Sequence, residues 1–137
     1  MSVSTGTGDG TLRLDLADDD SIVDVVGNTL GGSGAGNGDF VTGEAYTIDK
    51  TVPTVTSIAR VGANPTNGAT AAFLVTFSES VSAVNSADFT FTATVTAPSV
   101  TNVTGSGTAW TVTANTGTGD GSLRLDLSDD DSIVDTA

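Results

Sequence analysis

Acidic side chains are concentrated in two nearly identical segments of the 137-residue chain. The segment TGTGDGTLRLDLADDDSIVD covers residues 5–24, and TGTGDGSLRLDLSDDDSIVD covers residues 116–135. They are identical at 18 of 20 positions and hold 12 of the 17 acids. Carboxylates in this number, in a chain without His or Cys, are ligands that suit a hard cation such as calcium. The predicted ligands in these segments are Asp9, Asp18, Asp19, Asp20, Asp24, Asp129, Asp130, Asp131 and Asp135.

Two further acids, Asp49 and Glu79, are expected at the same place. Strands that run alternately up and down bring alternate loops to one end of a domain. The loop after the second predicted strand carries Glu79, the loop after the sixth carries residues 129–135, and the linker with Asp49 enters at that end. Asp9 lies in a turn expected to face the neighbouring domain. The sequence therefore predicts a structural calcium ion at the junction between domains; the alternative is an acidic loop that simply faces water.

Catalysis and nucleic-acid binding are both disfavoured by the composition. Ser/His/Asp and Cys/His arrangements need residues that the sequence lacks. The paired carboxylates lie in glycine-flanked turns, where nothing separates their pKa values for acid–base work. Four basic residues against 17 acids give a net charge of −13, which opposes contact with phosphate or with an anionic membrane surface. We expect a protein that is not an enzyme and binds neither nucleic acid nor membrane directly.

The two acidic segments are separated by a constant offset of 111 residues. A fixed internal period indicates a tandem array, and 111 residues are enough for a domain with its own core. The predicted boundary lies near Asp49. Residues 1–48 are then the C-terminal part of one repeat, and residues 49–137 are the next repeat without its final strand.

Alternating apolar and polar residues predict strands throughout the chain. The expected strands cover residues 53–61, 70–78, 88–96, 99–105, 108–115 and 121–127. A seventh, at residues 39–49, belongs to the preceding repeat. Seven short strands in a repeat of this length predict an all-β fold, an immunoglobulin-like β-sandwich.

Several phrases in this order are similar to one known class of repeat: GNTLGG, TIDKTVPTVTSI, AAFLVTFSESV, SADFTF and GSLRLDLSDDDSIVD. Together they resemble the tandem bacterial Ig-like repeats of very large surface adhesins. The resemblance implies an extracellular location at the bacterial surface and a role as a spacer that holds an adhesive domain away from the cell. It also implies neighbouring repeats as partners, with calcium at the junctions held by the aspartates of the two acidic segments.

Two other functions remain open from the sequence. The loops at one end of the sandwich could bind carbohydrate or a partner protein. Alternatively, the open sheet edge of residues 49–137 could accept the strand at residues 39–48 of another chain. Such an exchange does not close on itself and would produce a head-to-tail homopolymer, that is, a fibre.

Overall fold

The computed structural model describes residues 2–137, and this part of the chain contains no α-helix. The all-β class predicted from the sequence is therefore confirmed. No helix in the described residues is long and apolar enough to cross a bilayer. The chain forms two compact units, the first ending at Thr51 and the second covering Val52–Ala137.

The first unit contains one antiparallel strand pair, β1 (Gly10–Arg13) with β2 (Ala45–Ile48). Gly10 is opposite Ile48 and Arg13 is opposite Ala45. The predicted strand at residues 39–49 is thus shorter than expected. Its earlier part contributes an isolated bridge between Leu16 and Phe40, whose backbone groups exchange two hydrogen bonds of 3.0 Å.

The larger sheet of the second unit has the strand order β3 (Val55–Val61), β4 (Thr70–Ser82) and β6 (Ser99–Asn115). All pairs are antiparallel. A short strand, β8 (Val134–Asp135), is added to the far end of β4. This strand was not predicted, and it fixes the end of the second acidic segment to the sheet.

A second sheet pairs β5 (Phe89–Ala93) with β7 (Leu123–Leu127). One turn of 3₁₀-helix, Ser86–Asp88, precedes β5 and is capped by Asn85. Both strands overlap the predicted ranges but are shorter.

Strand β6 contains both strands that were predicted between residues 99 and 115. The Thr101 hydroxyl donates a hydrogen bond of 3.0 Å to the Thr113 carbonyl. A straight strand would separate residues 12 apart by about 40 Å, so the chain must double back between them. The reversal is centred on Gly107, which lies in the left-handed region at φ 61°. The backbone of Gly105 approaches Ala109 so closely across the turn that a Cβ would lie 2.4 Å from the Ala109 carbonyl oxygen. The second half of this hairpin pairs with β4.

The core lies between the two sheets of the second unit. Alternate residues of β4 point inward, where they meet side chains of β5, β6 and β7. The buried apolar residues are Phe73, Val75, Phe77, Val81, Val84, Phe89, Val112, Ala114 and Leu125. Residues from both sheets thus share one core, and the second unit has two packed layers.

This packing predicts that the two faces of β4 respond differently to truncation. Val75 is fully buried whereas its neighbour Leu74 is 38% exposed. We expect Val75→Ala to lower the free energy of unfolding by about 2 kcal/mol, and Leu74→Ala by less than half of that, although Leu74→Ala removes more atoms. Urea unfolding followed by the fluorescence of Trp110, which packs against the core, measures both. A larger loss for Leu74→Ala would contradict the assignment of the inner face.

Candidate metal centre

The first acidic turn is held together by its own carboxylates. Asp18 is only 5% exposed, and its Oδ1 accepts a hydrogen bond from the Asp20 amide at 3.1 Å. Its Oδ2 accepts one from the Gly38 amide at 3.0 Å. Asp20 lies in the left-handed region at φ 63°, and its carboxylate accepts from the Gly34 amide at 3.0 and 3.2 Å. The glycine-rich loop therefore wraps around Asp18 and Asp20.

Asp19 and Asp24, two further acids of the first segment, bond to backbone amides close by. Asp19 accepts from the Ser21 amide at 3.1 Å. Asp24 accepts from the amides of Val26 and Asn28, both at 2.9 Å, and from the Asn28 side chain at 2.8 Å. The Asn28 side chain, followed by these amides, holds the pKa of Asp24 below its ordinary value.

The second acidic turn repeats part of this local geometry. Asp129 accepts from the Asp131 amide, and Asp130 accepts from the Ser132 amide, each at 3.0 Å. Asp131 has φ 62°, matching the 63° of its first copy, Asp20. Hydrogen bonding to Ser132 holds the pKa of Asp130 below its ordinary value. The turn is therefore encoded locally, by carboxylates that bond to amides two residues ahead.

A buried carboxylate, Asp88, anchors the second turn to the core. Asp88 is fully buried, and its Oδ2 accepts from the Asn85 amide at 2.7 Å. Its Oδ1 accepts from the Ser132 hydroxyl at 2.8 Å, and its carbonyl accepts from the Ser128 amide at 2.7 Å. Asp88 was not among the residues predicted from the sequence. The signal was present as the phrase NSAD, in which Asn85 and Asp88 form a reciprocal capping box.

Asp9 fixes the segment that leads out of the first unit. Its Oδ1 accepts from the Lys50 amide at 2.7 Å, and its Oδ2 accepts from the Thr51 hydroxyl. These bonds, that from Thr51 first, lower the pKa of Asp9. Asp49, the residue before Lys50, is exposed and accepts from the Thr51 amide at 3.0 Å. The turn TGTGDG thus closes over the two residues that follow Asp49.

Two half-buried carboxylates meet at the end of the larger sheet. Glu79 lies on β4 and Asp135 on β8, and their closest oxygens are within 4.8 Å of each other. Burial alternates along β4, which places Glu79 in the same row as Phe77 and Val81. Calcium binds oxygens at about 2.4 Å, so two of its ligands lie at most about 4.8 Å apart. These two side chains could therefore hold the same metal ion.

The predicted ligands are consequently placed in different ways. Glu79 and Asp135 lie together in the second unit, whereas the other acids of the two turns point mainly to nearby amides. A carboxylate that accepts one or two amide hydrogen bonds retains lone pairs for a cation. The full ligand set predicted from the sequence stays a prediction.

Comparisons of the chain with protein-family models, curated proteins and solved structures find no significant match.

The contact between Asp88 and Ser132 generates a stability prediction. Ser132→Ala removes one donor from a buried carboxylate, so we expect a loss of about 1–3 kcal/mol in the free energy of unfolding. The matched control is Ser21→Ala, the same change in the first copy, where the serine is exposed. Its effect should stay within about 0.5 kcal/mol. Equal effects in urea unfolding would show that the buried contact does not stabilise the turn.

A pH dependence follows from Asp126, which is half-buried on β7. The Arg124 guanidinium, followed by the Thr92 hydroxyl, holds the pKa of Asp126 below 3.8. A group whose pKa is lower in the folded state contributes stability that is fully present above its unfolded pKa. That stability is lost as the pH falls through the folded pKa. We expect Asp126→Asn to lower the thermal midpoint at pH 6.

The difference in thermal midpoint between the original protein and Asp126→Asn should shrink as the pH falls below 3.8, the ordinary pKa of an aspartate. Thr92→Val, which removes the second cause of the shift, should give a smaller change in the same direction. Midpoints measured between pH 6 and pH 2 test this. A difference that does not depend on pH would mean that the carboxylate charge contributes nothing.

Proposed function

We propose that the chain is a structural spacer, part of a tandem array of immunoglobulin-like repeats on the outside of a bacterial cell. One observation carries this proposal: a segment repeated at an offset of 111 residues forms a strand in both units, β1 in the first and β7 in the second. Repetition of a whole β-domain lengthens a protein without requiring a different core for each step. The resemblance to adhesin repeats supplies the cell-surface location.

The immunoglobulin-like topology is supported by the strand order in the second unit. The two halves of β6 count as separate strands, so the larger sheet has four: β3, β4, the later half of β6 and its earlier half. If the strands of the second unit are lettered A to F along the chain, β3 is A, β4 is B, and the earlier and later halves of β6 are D and E. Their order across the sheet is then A-B-E-D, as in an immunoglobulin sheet. β5 and β7 then correspond to strands C and F.

The first unit supplies the strand that this scheme still needs. β1 is the first copy of the start of β7, and it pairs with β2. Strand β2 then corresponds to strand G, next to F. Because the two units represent different parts of one repeat, the whole repeat would contain the sheets A-B-E-D and C-F-G. This is the arrangement of constant-type immunoglobulin domains.

We further propose that the array is stiffened by calcium at the end of each repeat where Glu79 and Asp135 meet. Two half-buried carboxylates this close repel each other, and a divalent cation between them removes the repulsion. Thr54 and Ser78 exchange hydrogen bonds of 2.8 and 2.9 Å, so the second unit begins next to Glu79. Asp49, five residues before Thr54, stays a ligand predicted from the sequence alone.

A spacer of this kind needs no catalytic chemistry. Its partners would be the repeats before and after it, and its direct contacts would exclude nucleic acid and membrane because of the net charge of −13. Rigidity would come from the ordering of the linker by a bound ion.

Thermal unfolding with and without calcium tests the proposal. In EDTA the carboxylate pair repels, and calcium at about a hundred times its dissociation constant should stabilise the protein by about 2.7 kcal/mol. Glu79→Gln and Asp135→Asn should each abolish most of this gain, and magnesium should not replace calcium. The control is Asp126→Asn, which removes an acid outside the proposed site.

Two results would contradict the calcium site. Equal midpoints in EDTA and in calcium would show that the acids only face water. A calcium response that survives both variants but is lost in Asp130→Asn would move the site to the acidic turn itself.

A further inference from the structure

A groove opens along the second unit between β3 and β7. Its volume is about 600 Å³. The apolar lining comes from Ile58, Phe73, Leu123 and Leu125, and two cations, Arg60 and Arg124, also border it. These are two of the four basic residues of the chain. Arg124 is paired with Asp126, so the groove combines an apolar floor with one cation, Arg60, that forms no ion pair among the described residues.

The strands that border the groove each have one unpaired edge in the part of the chain that the structure describes. β3 stands at the end of its sheet, and β7 pairs with β5 alone. Unpaired backbone N–H and C=O groups along an edge are a template for another strand. The position and chemistry of the groove thus suit an extended peptide that pairs with β7.

Comparison of the two copies of the repeated segment shows which edge of β7 is free to pair with another strand. Ser128 donates to the Asp88 carbonyl, on the side of β5. Successive residues of a strand direct their backbone groups to opposite edges, so those of Leu127 point to the other edge. Leu16, the first copy of Leu127, exchanges both of its backbone hydrogen bonds with Phe40. The segment beginning at Phe40 therefore pairs with the edge that β7 leaves open.

We propose that this groove binds residues 40–48 of a second copy of the chain. In the first unit β1 pairs with β2 in a fixed register, and residues 121–124 are the second copy of β1. The same register places Tyr46 opposite Leu123 and Ala45 opposite Arg124. Residues that are directly opposite in an antiparallel pair share a face, so Tyr46 enters the groove beside Leu123, and Thr47 faces outward.

Charge complementarity supports this occupant. Residues 39–49 carry Asp39, Glu44 and Asp49 and no basic residue. The groove presents Arg60, whereas the guanidinium of Arg124 beside it is already paired with Asp126 at 2.7 Å. Successive side chains of a strand alternate between its two faces, so this attraction is one of overall charge and does not depend on a single cross-strand pair.

Burial gives the exchange its driving force. Leu14 is 63% exposed in the first unit, whereas its second copy, Leu125, is 2% exposed. Tyr46 is 76% exposed where β2 pairs with β1. The strand thus covers little apolar surface in its own unit. In the groove of another chain it would bury Tyr46 together with Ile58 and Leu123, which are still partly exposed. Transfer of apolar surface from water favours the second arrangement.

The resulting contact joins two different surfaces, so each chain can donate a strand to one neighbour and accept one from another. A head-to-tail contact that does not close gives linear assemblies.

Binding of a peptide with the sequence of residues 39–49 tests the site directly. A fluorescent form of this peptide is titrated with the full chain in EDTA, so that calcium plays no part and failure of the calcium site leaves the test intact. We expect saturable binding. Tyr46→Asp in the peptide should weaken binding at least tenfold, whereas the matched control Thr47→Asp should bind nearly as well as the original. No binding, or equal losses for both variants, would overturn the proposal.

Sedimentation of the chain in EDTA over a range of concentrations tests the donor. The expected result is concentration-dependent assembly that the unlabelled peptide dissolves and that Tyr46→Asp abolishes. Trp110 fluorescence checks that the second unit of the variant remains folded. Monomers at every concentration would overturn the assignment of a second copy as the occupant.

Discussion

Burial of the inner face of β4 is the constraint on which the second unit depends. Phe73, Val75 and Phe77 are each at most 5% exposed and belong to one buried cluster that contains residues of both sheets. The two sheets have few other reasons to associate, because their outer faces and connecting loops are polar or exposed. Every proposed site in the unit lies at a margin of this row: Glu79 extends it at one end, and the groove opens beside Phe73.

In the acidic turns, local hydrogen bonds determine the backbone conformation, and tertiary contacts determine how each turn is held. Short carboxylates bond to amides two residues ahead in both copies, and the same left-handed residue appears in each. What differs is the support. The first turn is enclosed by glycine amides, whereas the second is fixed to the core by Asp88 and to the sheet by β8. The two nearly identical sequences thus take a similar local conformation, although different contacts hold each turn in place.

Much of the strand content could be predicted from the sequence, because alternation is a local property. The six strands expected between residues 53 and 127 all coincide with observed strand, including the two that share β6. The pairing of β8 with β4 could not be predicted from Val134 and Asp135, since two residues carry no periodic signal. Asp88 was missed because a single acid beside a strand looks exposed until its partners Asn85 and Ser132 are known. The proximity of Glu79 to Asp135 was anticipated by counting loops, but their distance required the register of β8.

The near identity of β1 with the start of β7 raises a problem of timing during synthesis. The sequence of β2 suits the edge of β1 and also that of β7, so the acceptor that is synthesised first determines the first pairing. Ribosomes add about 5–20 residues per second, and hairpins form in about 1–10 μs. β2 emerges soon after β1, and β7 follows many seconds later by this scale. Vectorial synthesis therefore directs each strand to its own repeat first, and a chain refolded from denaturant loses that guidance.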